Sequence, residues 1–213
     1  DIAYESQSGD ALVVGRDGTN TPVYYNIWDG TSWAFANPQT AFNLVSAYLR
    51  LVTMASCPGN DDILIATVDS DASLKVFHWN GSAFADLGTI VNGGMSTANY
   101  DIVQIVYEQQ SGDAMIIWSS AGEVRYRIWN GSTLGPENII SLIPDDVFIL
   151  RAAADPASDT IVLAALDKFY DITVVVWDGD AWIDSREVET ACADNSSQNL
   201  DVAWEASGED AVV

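Results

Sequence analysis

Residues 25–35 read YNIWDGTSWAF: a tight-turn sequence with a large aromatic on either side. The same arrangement returns as FHWNGSAFAD at 77–86, RIWNGSTLGP at 127–136 and VVWDGDAWID at 175–184. The leading aromatics Trp28, Trp79, Trp129 and Trp177 are spaced by 51, 50 and 48 residues, and a large apolar residue, Trp33, Phe84, Leu134 or Trp182, follows each by five. Between them lie Asp29-Gly30, Asn80-Gly81, Asn130-Gly131 and Asp178-Gly179. Asn-Gly and Asp-Gly favour a two-residue type I′ hairpin, in which both central residues take positive φ. The flanking aromatics then face each other across the strand pair.

A second landmark has the same period. DIAYESQSGDALVV at 1–14 returns as QIVYEQQSGDAMII at 104–117, with weaker copies LVTMASCPGNDDILI, FILRAAADPASDTIVL and LDVAWEASGEDAVV. Aligned on their acids, these copies place Asp10, Asp61, Asp113, Asp159 and Asp210 at one repeat position, where an Asx-type bond from side chain to turn backbone is expected. Each unit reads as four short strands. An apolar strand A precedes the SGD-type turn, and a continuous apolar strand B (ALVV, ILIAT, AMIIW, TIVLAAL) has the character of a strand buried on both faces. Strand C enters the Trp hairpin and strand D leaves it. AFNLVSAYLRLV at 41–52 is assigned to a D-to-A connection plus the start of strand A.

Four-stranded meanders repeated about every 50 residues resemble the blades of a β-propeller repeat protein, and the resemblance covers essentially the whole chain. It implies an all-β fold of four whole blades, at about 1–47, 48–99, 100–145 and 146–198, and half of a fifth at 199–213. The Gly-His of WD40 repeats is missing and the kelch double glycine occurs once, at Gly93-Gly94. The sialidase Asp box is matched only in the position of its hairpin. A half-blade ending in an apolar strand suits a segment of a longer propeller, or one completed by further blades or subunits.

The charge narrows the partners. With 31 acidic residues against 8 basic ones the net charge is −23, a field that repels nucleic acid and anionic membrane surfaces. No apolar run is long enough to span a bilayer. Calcium is the one cofactor suggested: Asp69, Asp71 and Ser73 alternate along a B-to-C loop and could turn hard oxygens to one side, although Leu74 and Asn80 break the full EF-hand pattern. Asp17, Asp167 and Asp171 lie in equivalent loops. No catalytic constellation is visible. The single histidine, His78, stands where other units carry Ile27, Ile128 and Val176, and so reads as structural. Cys57 and Cys192 fall in loops on opposite blade faces, too far apart to form a disulfide.

These features lead to a non-catalytic extracellular or cell-surface module for adhesion, assembly or ligand binding, with a protein or glycan as partner. The alternative is a carbohydrate-active enzyme of glycosidase or sialidase kind, its site completed by parts outside this chain. Recognition is expected in the dissimilar D-to-A connections, NPQTAFNLVSAY, GTIVNGGMSTANY, GPENIISLIPDD and DSREVETACADNSSQ, and in exposed aromatics such as Tyr48, Tyr100, Phe169 and Tyr170. Asn80, Asn130 and Asn195 begin Asn-x-Ser sequons; the first two coincide with hairpin turns.

Overall fold

The computed structural model describes the whole chain except residues 19–20, 45–46, 97–100, 144–145, 193–199 and 207–209. The described residues form four antiparallel four-stranded sheets and one two-stranded sheet. The first sheet is β1 (Ile2–Tyr4), β2 (Ala11–Arg16), β3 (Pro22–Trp28) and β4 (Gln39–Asn43); the second is β5 (Leu49–Ser56), β6 (Asp62–Asp69), β7 (Leu74–Asn80) and β8 (Phe84–Val91). The third is β9 (Val103–Tyr107), β10 (Ala114–Ser120), β11 (Glu123–Trp129) and β12 (Asn138–Ile139), and the fourth β13 (Val147–Ala154), β14 (Ile161–Asp167), β15 (Ile172–Trp177) and β16 (Trp182–Glu189). β17 (Ala203–Trp204) and β18 (Ala211–Val212) pair as the fifth. Neighbouring strands in each sheet are consecutive in sequence, the order that short turns impose on a meander.

The chain divides into two compact units, Asp1–Asn99 and Tyr100–Val213. In the first, Leu12, Val14 and Val23 of one sheet pack on Ile63, Ile65, Phe77 and Trp79 of the next. In the second, Met115, Ile117 and Val124 pack on Ile161, Leu163, Val175 and Trp177. The continuous apolar strands lie where this packing needs them: every residue of β14 is buried, as are all of β6 but Asp62 and all of β10 but Ser120.

The repeated hairpins have their expected position but not the expected turn. Gly30, Gly81, Gly131 and Gly179 have φ of +87°, +82°, +83° and +101°, whereas the preceding Asp or Asn has no positive φ. The residue before glycine acts through its side chain instead. Asp29 Oδ1 accepts the N–H groups of Thr31 and Ser32 at 2.8 and 2.7 Å; Asn80, Asn130 and Asp178 make the equivalent pairs of bonds. The backbone N–H of each also donates across the loop, as from Asp29 to Ser32 O at 3.1 Å. Two side-chain-capped bonds remove the need for a second left-handed residue. Hydrogen bonds led by the Thr31 hydroxyl hold the Asp29 carboxyl well below the usual carboxylate range.

Strand D also departs from expectation. Gln39–Asn43 is strand, not connection, and β8 and β16 likewise extend into segments expected to be loops. β16 is exposed at all but its first residue, so this outer strand lacks the apolar alternation that would reveal it.

The glycines give a graded test. Alanine at either Gly81 or Gly131 must adopt positive φ, at about 1–2 kcal/mol. A Cβ at Gly81 would also stand 3.3 Å from Asp61 Cβ, while one at Gly131 meets nothing within 4 Å. Gly81→Ala is therefore expected to lower the urea midpoint more than Gly131→Ala.

Candidate functional site

The repeated residues build a polar clamp between successive sheets. Glu5 follows β1 and is buried; its Oε1 accepts the indole N–H of Trp79 at 2.6 Å, and its Oε2 accepts the Ser8 hydroxyl at 2.5 Å. In the second unit Glu108 accepts from Trp177 at 2.6 Å and from Ser111 at 2.5 Å. Asp61 and Asp159 complete the two clamps. Asp61 Oδ1 takes the N–H groups of Gln7 and Ser8, and Asp159 Oδ1 those of Gln110 and Ser111. These two acids thus bind the turn of the preceding sheet instead of their own. The structural equivalents of Asp10 and Asp113 are Asp62 and Thr160, one residue further on: their carbonyls close the same six-residue turn, from Glu5 N–H to Asp10 O, Cys57 to Asp62, Glu108 to Asp113 and Asp155 to Thr160. The signal for this shift was present in the sequence, since only the first and third units carry Tyr-Glu-x-x-Ser-Gly-Asp.

The calcium-type loop is also a turn device. Asp69 Oδ1 accepts the N–H groups of Asp71 and Ser73, both at 3.0 Å, and the Ser73 hydroxyl accepts from Gly93 at 3.2 Å. Asp167 holds Phe169 and Asp171 in the same way, with Tyr170 at φ +69° where the first loop has Ala72 at +60°. Among the described residues no group of three or more His, Cys, Asp or Glu is gathered to hold a metal ion. His78 Nε2 lies 3.1 Å from Asp62 Oδ1. Cys57 and Cys192 are both free thiols. Tyr100 and Asn195 lie outside the described residues.

A recess lies on the first sheet, at the end of β2 and the start of β3. It is a cleft of about 420 Å³ lined by Gly15, Arg16, Asp17, Tyr24, Asn26 and Pro38, among others. Gly15 pairs directly with Tyr24, and because a Cβ on Gly15 would meet nothing within 4 Å, the missing side chain leaves the floor open. Arg16 and Asp17 are exposed, and the Arg16 guanidinium stands 5.1 Å from the ring centre of Tyr48. Asn26 is committed to the backbone of Phe35, donating to its carbonyl at 2.9 Å and accepting its N–H at 3.2 Å, and so fixes the cleft wall. A guanidinium, a carboxylate and a phenol rim around a ring face suit a polyhydroxylated ligand: charged groups bridge hydroxyls and the ring packs on C–H bonds. The position four before each leading Trp varies in chemistry, as Tyr24, Lys75, Arg125 and Thr173, while the Trp itself does not. In the third sheet Arg125 is engaged by Glu123 and Glu137.

No protein-family model matches the sequence, and no curated protein sequence matches it. Solved structures do. The BP39L lectin of Burkholderia pseudomallei superposes with a TM-score of 0.63 at 12% identity, over 88% of this chain and 54% of the lectin. The Aleuria aurantia lectin, a six-bladed β-propeller with a fucose recognition mode, gives 0.56 at 13%, over 85% of this chain and 56% of that one. The fold is an all-β propeller of four-stranded blades. The NanB sialidase of Streptococcus pneumoniae gives 0.54 at 13% identity over 79% of this chain and 29% of the enzyme. The chain thus spans about half the length of these propeller lectins. Among the described residues no helix is long and apolar enough to cross a membrane.

The clamp carries a pH signature. Burial pushes the Glu108 carboxyl above its ordinary value of 4.5, opposed by the bonds from Ser111 and Trp177. A raised folded value means that the stability contributed by this group is complete below about 4.5 and declines as pH rises through the folded value. Urea midpoints measured from pH 4 to 7 are expected to fall less steeply in Glu108→Gln than in the parent protein.

Proposed function

We propose that this propeller binds carbohydrate without transforming it, through the cleft at the ends of β2 and β3. The observation that carries the reading is the cleft itself: an open floor at Gly15, flanked by Arg16, Asp17 and the Tyr24 ring, on a sheet packed against the second sheet. The likeness to propeller lectins, two of which carry fucosides in their solved complexes, supports a sugar as ligand. The acids of the repeated architecture, Glu5, Asp61, Asp69, Glu108, Asp159 and Asp167, hold turns or clamps, which supports a non-catalytic reading. We further place the protein at the cell exterior, where glycans are met, and this is supported by its high negative charge and scarcity of lysine.

A glycan array followed by calorimetry, with methyl α-L-fucoside as the first probe, tests the reading. Saturable binding is expected, weakened about tenfold or more by Arg16→Ala, a loss of roughly 1.4 kcal/mol. Gly15→Val adds bulk to the floor at a position where a Cβ meets nothing within 4 Å, and should abolish binding while leaving the melting temperature within a few degrees of the parent. Binding indifferent to both substitutions would place the ligand elsewhere. Release of nitrophenol from any nitrophenyl glycoside would contradict the non-catalytic reading.

A further inference from the structure

The sequence contains three Asn-Gly pairs, Asn80-Gly81, Asn92-Gly93 and Asn130-Gly131, and the fold treats them differently. In the two hairpins the asparagine amide oxygen is ringed by donors. Asn80 Oδ1 accepts the N–H groups of Ser82 and Ala83 at 3.1 and 2.9 Å, and the Ser82 hydroxyl at 2.9 Å. Asn130 Oδ1 accepts the N–H groups of Ser132 and Thr133 at 3.1 and 2.9 Å, the Ser132 hydroxyl at 2.9 Å and the Thr133 hydroxyl at 3.2 Å. Asn92 is exposed, and among the described residues none donates to its side chain. The glycine nitrogens differ as well. Gly93 donates its N–H to Ser73 Oγ at 3.2 Å, whereas the N–H groups of Gly81 and Gly131 have no acceptor among the described residues.

This contrast matters for one reaction. When the glycine nitrogen of an Asn-Gly pair attacks the asparagine Cγ, negative charge develops on Oδ1, and donors already aimed at that atom stabilise the step. The two aspartate hairpins show what the ring of donors does to a charged oxygen. Bonds led by the Thr31 hydroxyl hold the Asp29 carboxyl below the usual carboxylate range, and bonds led by the Ala181 N–H do the same for Asp178. Asn80 and Asn130 are both exposed, so water reaches them.

We propose that Asn80 and Asn130 are self-modifying sites, at which the folded hairpin loses its side-chain amide with water as the only co-reactant. At the third sheet the Gly131 nitrogen gives its proton to solvent and bonds to Asn130 Cγ. The oxyanion then collapses, the Cγ–Nδ2 bond breaks, and Nδ2 takes a proton from solvent and leaves as ammonia. Water opens the resulting cyclic imide. Opening at Cγ leaves aspartate, which makes the turn a chemical copy of Asp29-Gly30 and Asp178-Gly179; opening at the backbone carbonyl leaves isoaspartate, whose backbone is longer. Either product adds one negative charge. Asn130 reacts first, because its oxygen has one donor more. Gly81 also lies beside Asp61, where a Cβ would stand 3.3 Å from Asp61 Cβ, and that carboxylate opposes further negative charge.

Peptide mapping by mass spectrometry, on whole chain incubated at neutral pH, tests this. The chain is made in a host without N-glycosylation, since both asparagines begin sequons. Conversion at Asn130 is expected to be about tenfold or more faster than at Asn92, with Asn80 between them. An Asn130→Asp variant supplies the reference peptide that separates aspartate from isoaspartate by retention. In chain unfolded by urea the cage is gone, and the three pairs are expected to convert at similar rates. Thr133→Val removes one donor at an exposed position and should slow Asn130 about threefold while leaving Asn80 unchanged. Circular dichroism checks that the variant is folded. The proposal is overturned if Asn92 converts as fast as Asn130 in folded chain, if the order persists in urea, or if Thr133→Val matches the parent. Folded chain that keeps Asn130 intact while unfolded chain converts it also overturns it.

Discussion

A buried carboxylate that accepts an indole N–H from the next sheet is the contact on which each unit of this fold depends. Glu5 and Glu108 are each buried and made tolerable there by two hydrogen bonds, one from Trp79 or Trp177 and one from Ser8 or Ser111. Hydrogen bonds to charged groups contribute about 1.5–3 kcal/mol, and removing one partner leaves the other buried and unsatisfied. The clamp therefore does more than add to apolar packing: it fixes which sheet follows which, and at what height. Asp61 and Asp159 pin the adjoining turn to the same sheet from outside.

The clamp also shows that the repeat has two levels. A single sheet recurs about every 50 residues, but the clamp residues recur about every 100, from Glu5 to Glu108, Asp61 to Asp159 and Trp79 to Trp177. One sheet of each pair supplies the glutamate and serine, the other the tryptophan and aspartate. Alternation of this kind makes neighbouring sheets complementary rather than identical, and leaves the loop ends of each sheet free to differ. Tyr24, Lys75, Arg125 and Thr173 occupy one position in four chemistries, outside the clamps.

Much of this was legible in the residues. The period, the hairpin positions and the buried second strands follow from apolar runs and Trp-[Asp/Asn]-Gly spacing, which report directly on burial and turn geometry. The outer strands were not legible, because β16 and its equivalents face solvent and have no apolar face to display. The turn type was misread because Asp-Gly suits two loop geometries, and only the side-chain bonds of Asp29 and Asn80 distinguish them. The roles of Asp61 and Asp159 depend on contacts about 50 residues away in sequence, which local spacing does not encode. The cleft was legible only in part: Asp17 stood out as a loop acid, but the opening beside Tyr24 arises from a glycine paired across two strands.

On the proposed function, recognition resides in the part of a sheet that does not repeat, while the repeated hairpins are framework. Hydrogen–deuterium exchange of the chain with and without a bound glycan tests it most directly. Added protection is expected at residues 13–17 and 22–26 of the first sheet and not at the hairpins. Protection centred instead on the hairpins at 28–33, 79–84, 129–134 and 177–182 would contradict it.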